Sequence, residues 1–327
     1  MAKLAALRRD AEKRDEHVQR SDDRTFSRPK DALDFSVIGD QLDGVLAAIG
    51  NMIHRGWPAR YSNVGGAQEF FLATVKVADN TYRTIRFICA DIPRDPARKA
   101  DYALSVPALN RVILDSLFTV VFILEDLPSR CQWYLKSGWR ALAEELQQYR
   151  RSYANLPEWQ PWLSELENLV KTGIGIYNIT PEEQSDPTRI PRWPNPGKMP
   201  HYKVSGRKPL PDSRQFLAYL NDWFYRELSS QAHLSFEGLL KSAAPLFRET
   251  FLRAQQERLE EVQLPRFKQI QVGRTLMLVL ALLSEIEVCL NFGLRAKLSY
   301  LWTVLGSYSP ETKEVYDKRY QRPLNVG

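Results

Sequence analysis

Apolar residues in this chain recur at steps of three and four in nearly every long segment, and that period constrains the fold more than any other feature. Phe35, Ile38, Leu42, Val45, Leu46 and Ile49 draw one apolar stripe along a helix from Asp34 to Met52. Gln68 to Cys89 contains two stretches that alternate as strands do, Thr74-Val75-Lys76-Val77 and Thr84-Ile85-Arg86-Phe87-Ile88. No Gly or Pro interrupts them, and Asn80 lacks the following Gly of a tight hairpin, so one long helix is expected. Ser105 is placed to cap the next helix, with Pro107 in its first turn, where a missing N–H costs little. From Val112 to Leu124 that helix is apolar on nearly every side, as a central, fully buried helix is. Further helices are expected over Ser129 to Tyr153, Trp159 to Lys171, Asp212 to about Ser230, Ser235 to about Glu260, and a final pair within Arg266 to Leu305. Pro128, Pro157, Pro161 and Pro265 punctuate the junctions. No fixed-period repeat argues for a solenoid. The fold class is all-α: a multi-helix bundle over residues 33–306, with a charged N-terminal arm (1–32), a C-terminal tail (307–327) and a long Pro-rich basic loop (173–211) inside the bundle.

Composition narrows the function classes. A chain of 327 residues, 44% apolar and 26% charged, has material for a sizeable core and is not of disordered type. Cys89, Cys131 and Cys289 are too few and too scattered for a disulfide framework or a Cys-based zinc site, and fit a reducing, cytoplasmic setting. Met1 to Asp31 is dense in charge and holds no signal-peptide core. The apolar runs Val112 to Leu114, Leu117 to Leu124 and Leu276 to Leu283 each fall well short of the roughly 20 residues of a membrane span, so no membrane partner is expected. A phosphate-binding Gly-rich loop, HExxH and a nucleophile elbow are all absent, and the four His do not cluster, so neither a metal nor a cofactor is expected.

The charge is concentrated in one place. Between Arg189 and Arg214 lie six Pro and seven basic residues (Arg189, Arg192, Lys198, Lys203, Arg207, Lys208, Arg214) against one acid, Asp212. That local excess of six equals the net charge of the whole chain, +6. With Trp193, His201 and Tyr202 interleaved, such a segment suits a phosphate backbone tracked by cations, with bases stacked on the rings; Arg207 and Lys208 are then the substrate-binding candidates. It also suits an exposed surface loop kept soluble by its charges.

The chemistry-bearing pattern lies in Phe216 to His233. At about 100° per residue, Phe216, Leu220, Trp223, Phe224 and Leu228 form a core-facing stripe, while Asp222, Arg226, Ser229 and His233 share the opposite side. An Arg and a His about two turns apart leave room between them for one phosphate group. A guanidinium holds that anion in its planar fork, and a neutral imidazole takes the proton from a ribose 2′-hydroxyl. In this site His233 is the acid/base, Arg226 the phosphate ligand, and Ser229 and Asp222 the orienting groups. The same residues also fit a solvated polar face with an ordinary Asp222–Arg226 pair. Arg111 and Asp115, four apart on the most apolar helix, either bridge each other or leave Arg111 to reach the motif as a second phosphate ligand.

The spacing Arg226-x6-His233 resembles the Rx4-6H motif of the HEPN superfamily of helical, metal-independent ribonucleases. More broadly, Ala108 to Asp115 together with Tyr225 to His233 resembles an uncharacterised bacterial family of helical proteins with an Arg-x3-acid helix followed by a Tyr-Arg-x-x-Ser-x-x-x-His segment. Glu227 stands where active HEPN enzymes often carry Asn, Asp or His. The resemblance spans about residues 60 to 260. It implies an RNA substrate, a homodimer whose motifs form one composite cleft, and a toxin or phage-defence role under an unidentified protein regulator. The alternative is a non-catalytic helical module that dimerises or binds a protein through the same polar face.

Overall fold

A computed structural model describes residues 35–90, 103, 105–203, 210–232 and 264–325. The N-terminal arm, the helix expected from Ser235 to about Glu260, and His233, Arg207 and Lys208 lie outside the described residues. Among those described, every regular element is helical.

Helix α1 (Phe35–Arg55) pairs with α2 (Ala67–Cys89), and α2 packs on α3 (Val106–Leu124). In α2 the buried set Phe71, Thr74, Val75, Ala78, Tyr82 and Ile85 steps by three and four, so helical spacing prevails over the strand-like alternation. Ser105 stands at the N-cap of α3, although its side chain makes no capping bond to the first turn. By length and composition α3 is the one helix among the described residues able to cross a membrane. Its apolar surface is covered by neighbouring helices, but not on all sides, since Val112 remains 42% exposed.

The helix buried all round is α9 (Leu264–Leu290), where every residue from Leu276 to Leu283 is at most 2% exposed. It lies against α1, α2, α3 and α10 (Arg295–Tyr308). A polar triad fixes its register on α3. Asn110 Nδ2 donates to Gln271 Oε1 at 3.1 Å, and Thr275 Oγ1 donates to Asn110 Oδ1 at 2.8 Å. All three side chains are buried, so sliding either helix would orphan them. At the end of α9, the buried Glu287 carboxylate accepts the backbone N–H groups of Phe292, Gly293 and Leu294, each at 3.0 Å, turning the chain into α10.

The C-terminal segment expected as a tail is a helical run: α11 (Pro310–Val315), a π turn (Tyr316–Tyr320) and α12 (Gln321–Asn325). Ser309 accepts the Thr312 N–H, and Pro310 occupies the first position. Tyr320 is 1% exposed, stacks on Trp302 with ring centroids 5.0 Å apart, and donates to Glu285, which also holds Arg319 through two bonds. Burial of these rings is what orders the segment.

A hairpin of α4 (Leu127–Tyr153) and α5 (Gln160–Ile176) has its own small core of Leu146, Leu163 and Leu166. Gly66, at φ 76°, leads into α2 where a Cβ would lie 2.6 Å from Leu135 of α4, a site only glycine fits. On the buried side of α4, Cys131 is fully enclosed, and burial, with Glu69 adding to it, pushes its thiol up to about 12. Burial likewise pushes Tyr82 up to about 12. Both groups are neutral at pH 7 and titrate later folded than unfolded. Their contribution is therefore whole below the unfolded values of about 8.5 and 10 and is lost as pH rises toward 12. Thiol labelling followed by mass spectrometry should leave Cys131 unmodified in native protein at pH 8 and modify it in urea, and the melting temperature should fall steeply above pH 10. Labelling of native Cys131 as fast as in urea would refute its burial.

Candidate functional site

The motif lies on one continuous run: α7 (Asp212–Leu220), a π turn (Asn221–Tyr225) and α8 (Arg226–Ala232). Phe216, Leu220, Phe224 and Leu228 are buried as expected, whereas Trp223 is only half-buried. Steps of four would drift around a helix of 3.6 residues per turn; the wider π turn takes up the surplus and keeps the stripe on α3. It also changes where backbone oxygens point. Arg111 Nη1 donates to the Tyr225 carbonyl at 3.2 Å, and its guanidinium lies 3.3 Å from the centre of the Tyr225 ring. Its Nε donates to Asp115 at 2.9 Å. Arg111 thus forms the Asp115 bridge and reaches the motif helix at once, but as a clamp on Tyr225 rather than as a group facing solvent.

Asp222 and Arg226 are both exposed, and among the described residues no ion pair joins them. The ordinary i,i+4 pair is therefore not formed: Asp222 sits inside the π turn and Arg226 just beyond it. Ser229 is half-buried one turn further on. Of the four motif residues, the described run carries Asp222, Arg226 and Ser229, and His233 lies outside the described residues.

Sequence reasoning missed Arg274. Its Nη1 donates to Glu227 at 2.9 Å, and its Nη2 lies 3.5 Å from Glu311. Burial alone would lower its pKa, but the two carboxylates outweigh burial and raise it, so it is charged at any working pH. Glu227 thereby ties the motif helix to α9, and Glu311 extends the tie to α11. A single Arg beside the apolar run of α9 was the available signal, because a buried cation requires an acidic partner.

Three of the described cations of the basic segment have carboxylate partners. Arg192 pairs with Glu144 at 2.9 Å, Arg189 with Asp186 at 3.7 Å, and Arg214 is buried on Glu125 at 2.6 Å. Trp193 and Tyr202 pack on Phe122 and Trp133, with centroids 4.8 to 5.9 Å apart, so their faces are taken up by the core instead of being offered to bases. As far as Lys203, the described part of the stretch is not an open loop. A short helix, α6 (Pro181–Ser185), and two 3-10 turns (Pro187–Arg189, Pro196–His201) are stapled to α4 by Trp133 Nε1 on the Pro191 carbonyl (2.7 Å), Arg140 on Ile190 (2.6 Å) and Ser137 on the Trp193 N–H (2.8 Å). Lys198 and Lys203 remain exposed.

A separate cleft of about 820 Å³ opens between α7 and the C-terminal π turn, lined by Asp212, Phe216, Tyr219, Glu285, Arg319 and Arg322. Glu285 and Arg319 in its wall satisfy each other, and it contains none of Asp222, Arg226 or Ser229. Among the described residues no group of three His, Cys, Asp or Glu side chains is placed to hold a metal ion. No family model, curated protein or solved structure matches this chain.

Proposed function

We propose that the chain is a HEPN-like endoribonuclease that cleaves RNA without a metal, acting as a cytoplasmic toxin or phage-defence effector. The observation that carries the reading is the clamp of Arg111 on Tyr225: the two segments that bear the resemblance, 114 residues apart in sequence, touch each other in the fold. The clamp holds Tyr225 still, and the next residue, Arg226, projects to solvent with its guanidinium uncommitted among the described residues.

In this reading Arg226 binds two oxygens of one phosphate through its planar fork, and His233 removes the proton from the adjacent 2′-hydroxyl. The 2′-oxygen forms a bond to phosphorus as the bond from phosphorus to the 5′-oxygen breaks, and the imidazolium returns its proton to that leaving oxygen. The products are a 2′,3′-cyclic phosphate on one fragment and a 5′-hydroxyl on the other. Purified protein incubated with end-labelled RNA and DNA, with and without EDTA, tests this. Cleavage should persist in chelator, leave the cyclic end and spare DNA, which lacks the nucleophile. Chelator-sensitive cutting or equal cutting of DNA refutes the mechanism, and a failure to cut several RNAs returns the protein to the non-catalytic interaction class.

A further inference from the structure

Helix α7 and the C-terminal run pass each other antiparallel, and the contacts between them follow in order. At one end the Lys318 ammonium lies 4.0 Å from the centre of the Tyr219 ring. One turn nearer the start of α7, Phe216 meets Tyr320 edge-on with ring centroids 5.7 Å apart, and the Arg319 guanidinium lies 5.6 Å from the centre of the Phe216 ring. Beyond that point the walls part into the cleft of about 820 Å³, with Asp212 in the first turn of α7 on one lip and Arg322 of α12 on the other.

Most of the charge that lines this cleft is committed. Glu285 holds Arg319 through two bonds, Lys318 pairs with Glu314 at 2.7 Å, and Asp317 pairs with Lys313. Asp212 and Arg322 remain. Both are exposed, and among the described residues neither side chain has an ion-pair or hydrogen-bond partner, so they do not close on each other. An anion and a cation on facing walls, held apart, leave room for a group that answers both. Phe216, Tyr219, Val288 and Pro323 supply the apolar lining between them, and the volume lies in the range of small-molecule sites.

We propose that this cleft binds a small zwitterion with a large apolar side chain, of the α-amino acid type, either free or as a dipeptide. The ligand's ammonium donates to the Asp212 carboxylate, and its carboxylate accepts from the planar fork of Arg322. Its side chain lies on the apolar lining. A lone anion would meet Arg322 but face Asp212 uncompensated, and a lone cation would meet the converse, so complementarity selects a ligand with both charges. Because the ligand spans α7 and α12, binding also ties the C-terminal run to the helix that leads into the motif. The site uses no residue of the Arg226 motif, so its failure leaves the RNA chemistry standing and its success does not require it.

Titration calorimetry of the full chain with L-phenylalanine and with the dipeptide phenylalanyl-alanine tests this, and the tighter of the two identifies the source. At least one should bind saturably with a Kd below about 1 mM. Phenethylamine, which lacks the carboxylate, and 3-phenylpropionate, which lacks the ammonium, should each bind roughly 10-fold or more weakly, since each leaves one charged wall group unanswered. Asp212→Asn and Arg322→Gln should each cause a loss of the same size. Their circular dichroism spectra and melting temperatures should match the parent, because both side chains are exposed. Hydrogen exchange over Gln321–Asn325 should slow when the ligand is bound. Absence of saturable binding by either zwitterion up to about 10 mM, equal binding of phenethylamine or 3-phenylpropionate, or parental affinity in both variants would each overturn the proposal.

Discussion

Arg226→Ala should reduce RNA cleavage by about 100- to 1000-fold while leaving the unfolding free energy within about 0.5 kcal/mol of the parent. The two halves of this expectation have separate causes. Stability is spared because Arg226 is exposed and has no ion-pair partner among the described residues, so its removal orphans nothing. Cleavage is lost because the pentacoordinate phosphorus carries more charge on its free oxygens than the ground state does, and a donor aimed there lowers the barrier selectively. Arg226→Lys should retain little activity, since an ammonium cannot hold two oxygens in one plane. His233→Ala should remove a comparable or larger factor, in the range of general acid–base catalysis. Arg111→Ala is the informative contrast. It releases the Tyr225 carbonyl and removes the Arg111–Asp115 bridge, so it should lower activity and melting temperature together. An Arg226→Ala protein that cuts RNA at the parental rate would remove the guanidinium from the reaction.

How far this site could be read from the sequence depends on which contacts are local. The apolar stripe from Phe216 to Leu228 and the Arg111–Asp115 bridge are both visible in spacing, because neighbours on a helix face are three or four residues apart. The π turn is not visible. It answers the drift of a four-residue stripe against α3, a constraint that exists only once α3 is in place. Its consequence, the Tyr225 carbonyl turned to Arg111, was therefore out of reach. The C-terminal helices were hidden for a different reason. Val315, Tyr316, Tyr320 and Leu324 do step as a helix does, but they sit among Lys313, Glu314, Asp317, Lys318 and Arg319, whose charges read as a solvated tail. Two of the basic segment's cations have partners that no local count shows: Glu144 and Glu125 lie 48 and 89 residues away from Arg192 and Arg214.

Arg214 is where that distant pairing carries the most stability. The side chain is 4% exposed; it donates through Nε to Glu125 at 2.6 Å and through Nη1 to the Met199 carbonyl, and its guanidinium lies 4.3 Å from the centre of the Phe122 ring. Arg130 covers Phe122 at 4.2 Å and donates to the same carboxylate, as does Ser213. Arg214→Ala should cost about 2 to 4 kcal/mol in urea unfolding followed by tryptophan fluorescence, because it removes one of the two cations on the largely buried Glu125 carboxylate and leaves the Met199 carbonyl only the Tyr202 N–H, at 3.3 Å. Hydrogen exchange should rise in step over Ile190 to Tyr202, the stretch this arginine holds down. The effect has a signed pH dependence. Burial alone would raise the pKa of Glu125, but the bonds from Ser213, Arg214 and Arg130 outweigh it and hold it below the usual carboxylate value. Its contribution is therefore complete above that usual value, about 4.3, and is lost as pH falls through the lower folded one, so the gap between parent and variant should narrow below about pH 4. Glu125→Gln combined with Arg214→Met should recover part of the loss, since it leaves no carboxylate short of a cation, while Arg130 gives up its partner. A loss below 1 kcal/mol for Arg214→Ala would mean that Arg130 alone satisfies Glu125, and that packing of Trp193 and Tyr202 on Phe122, rather than the ion pair, holds the irregular segment to the bundle.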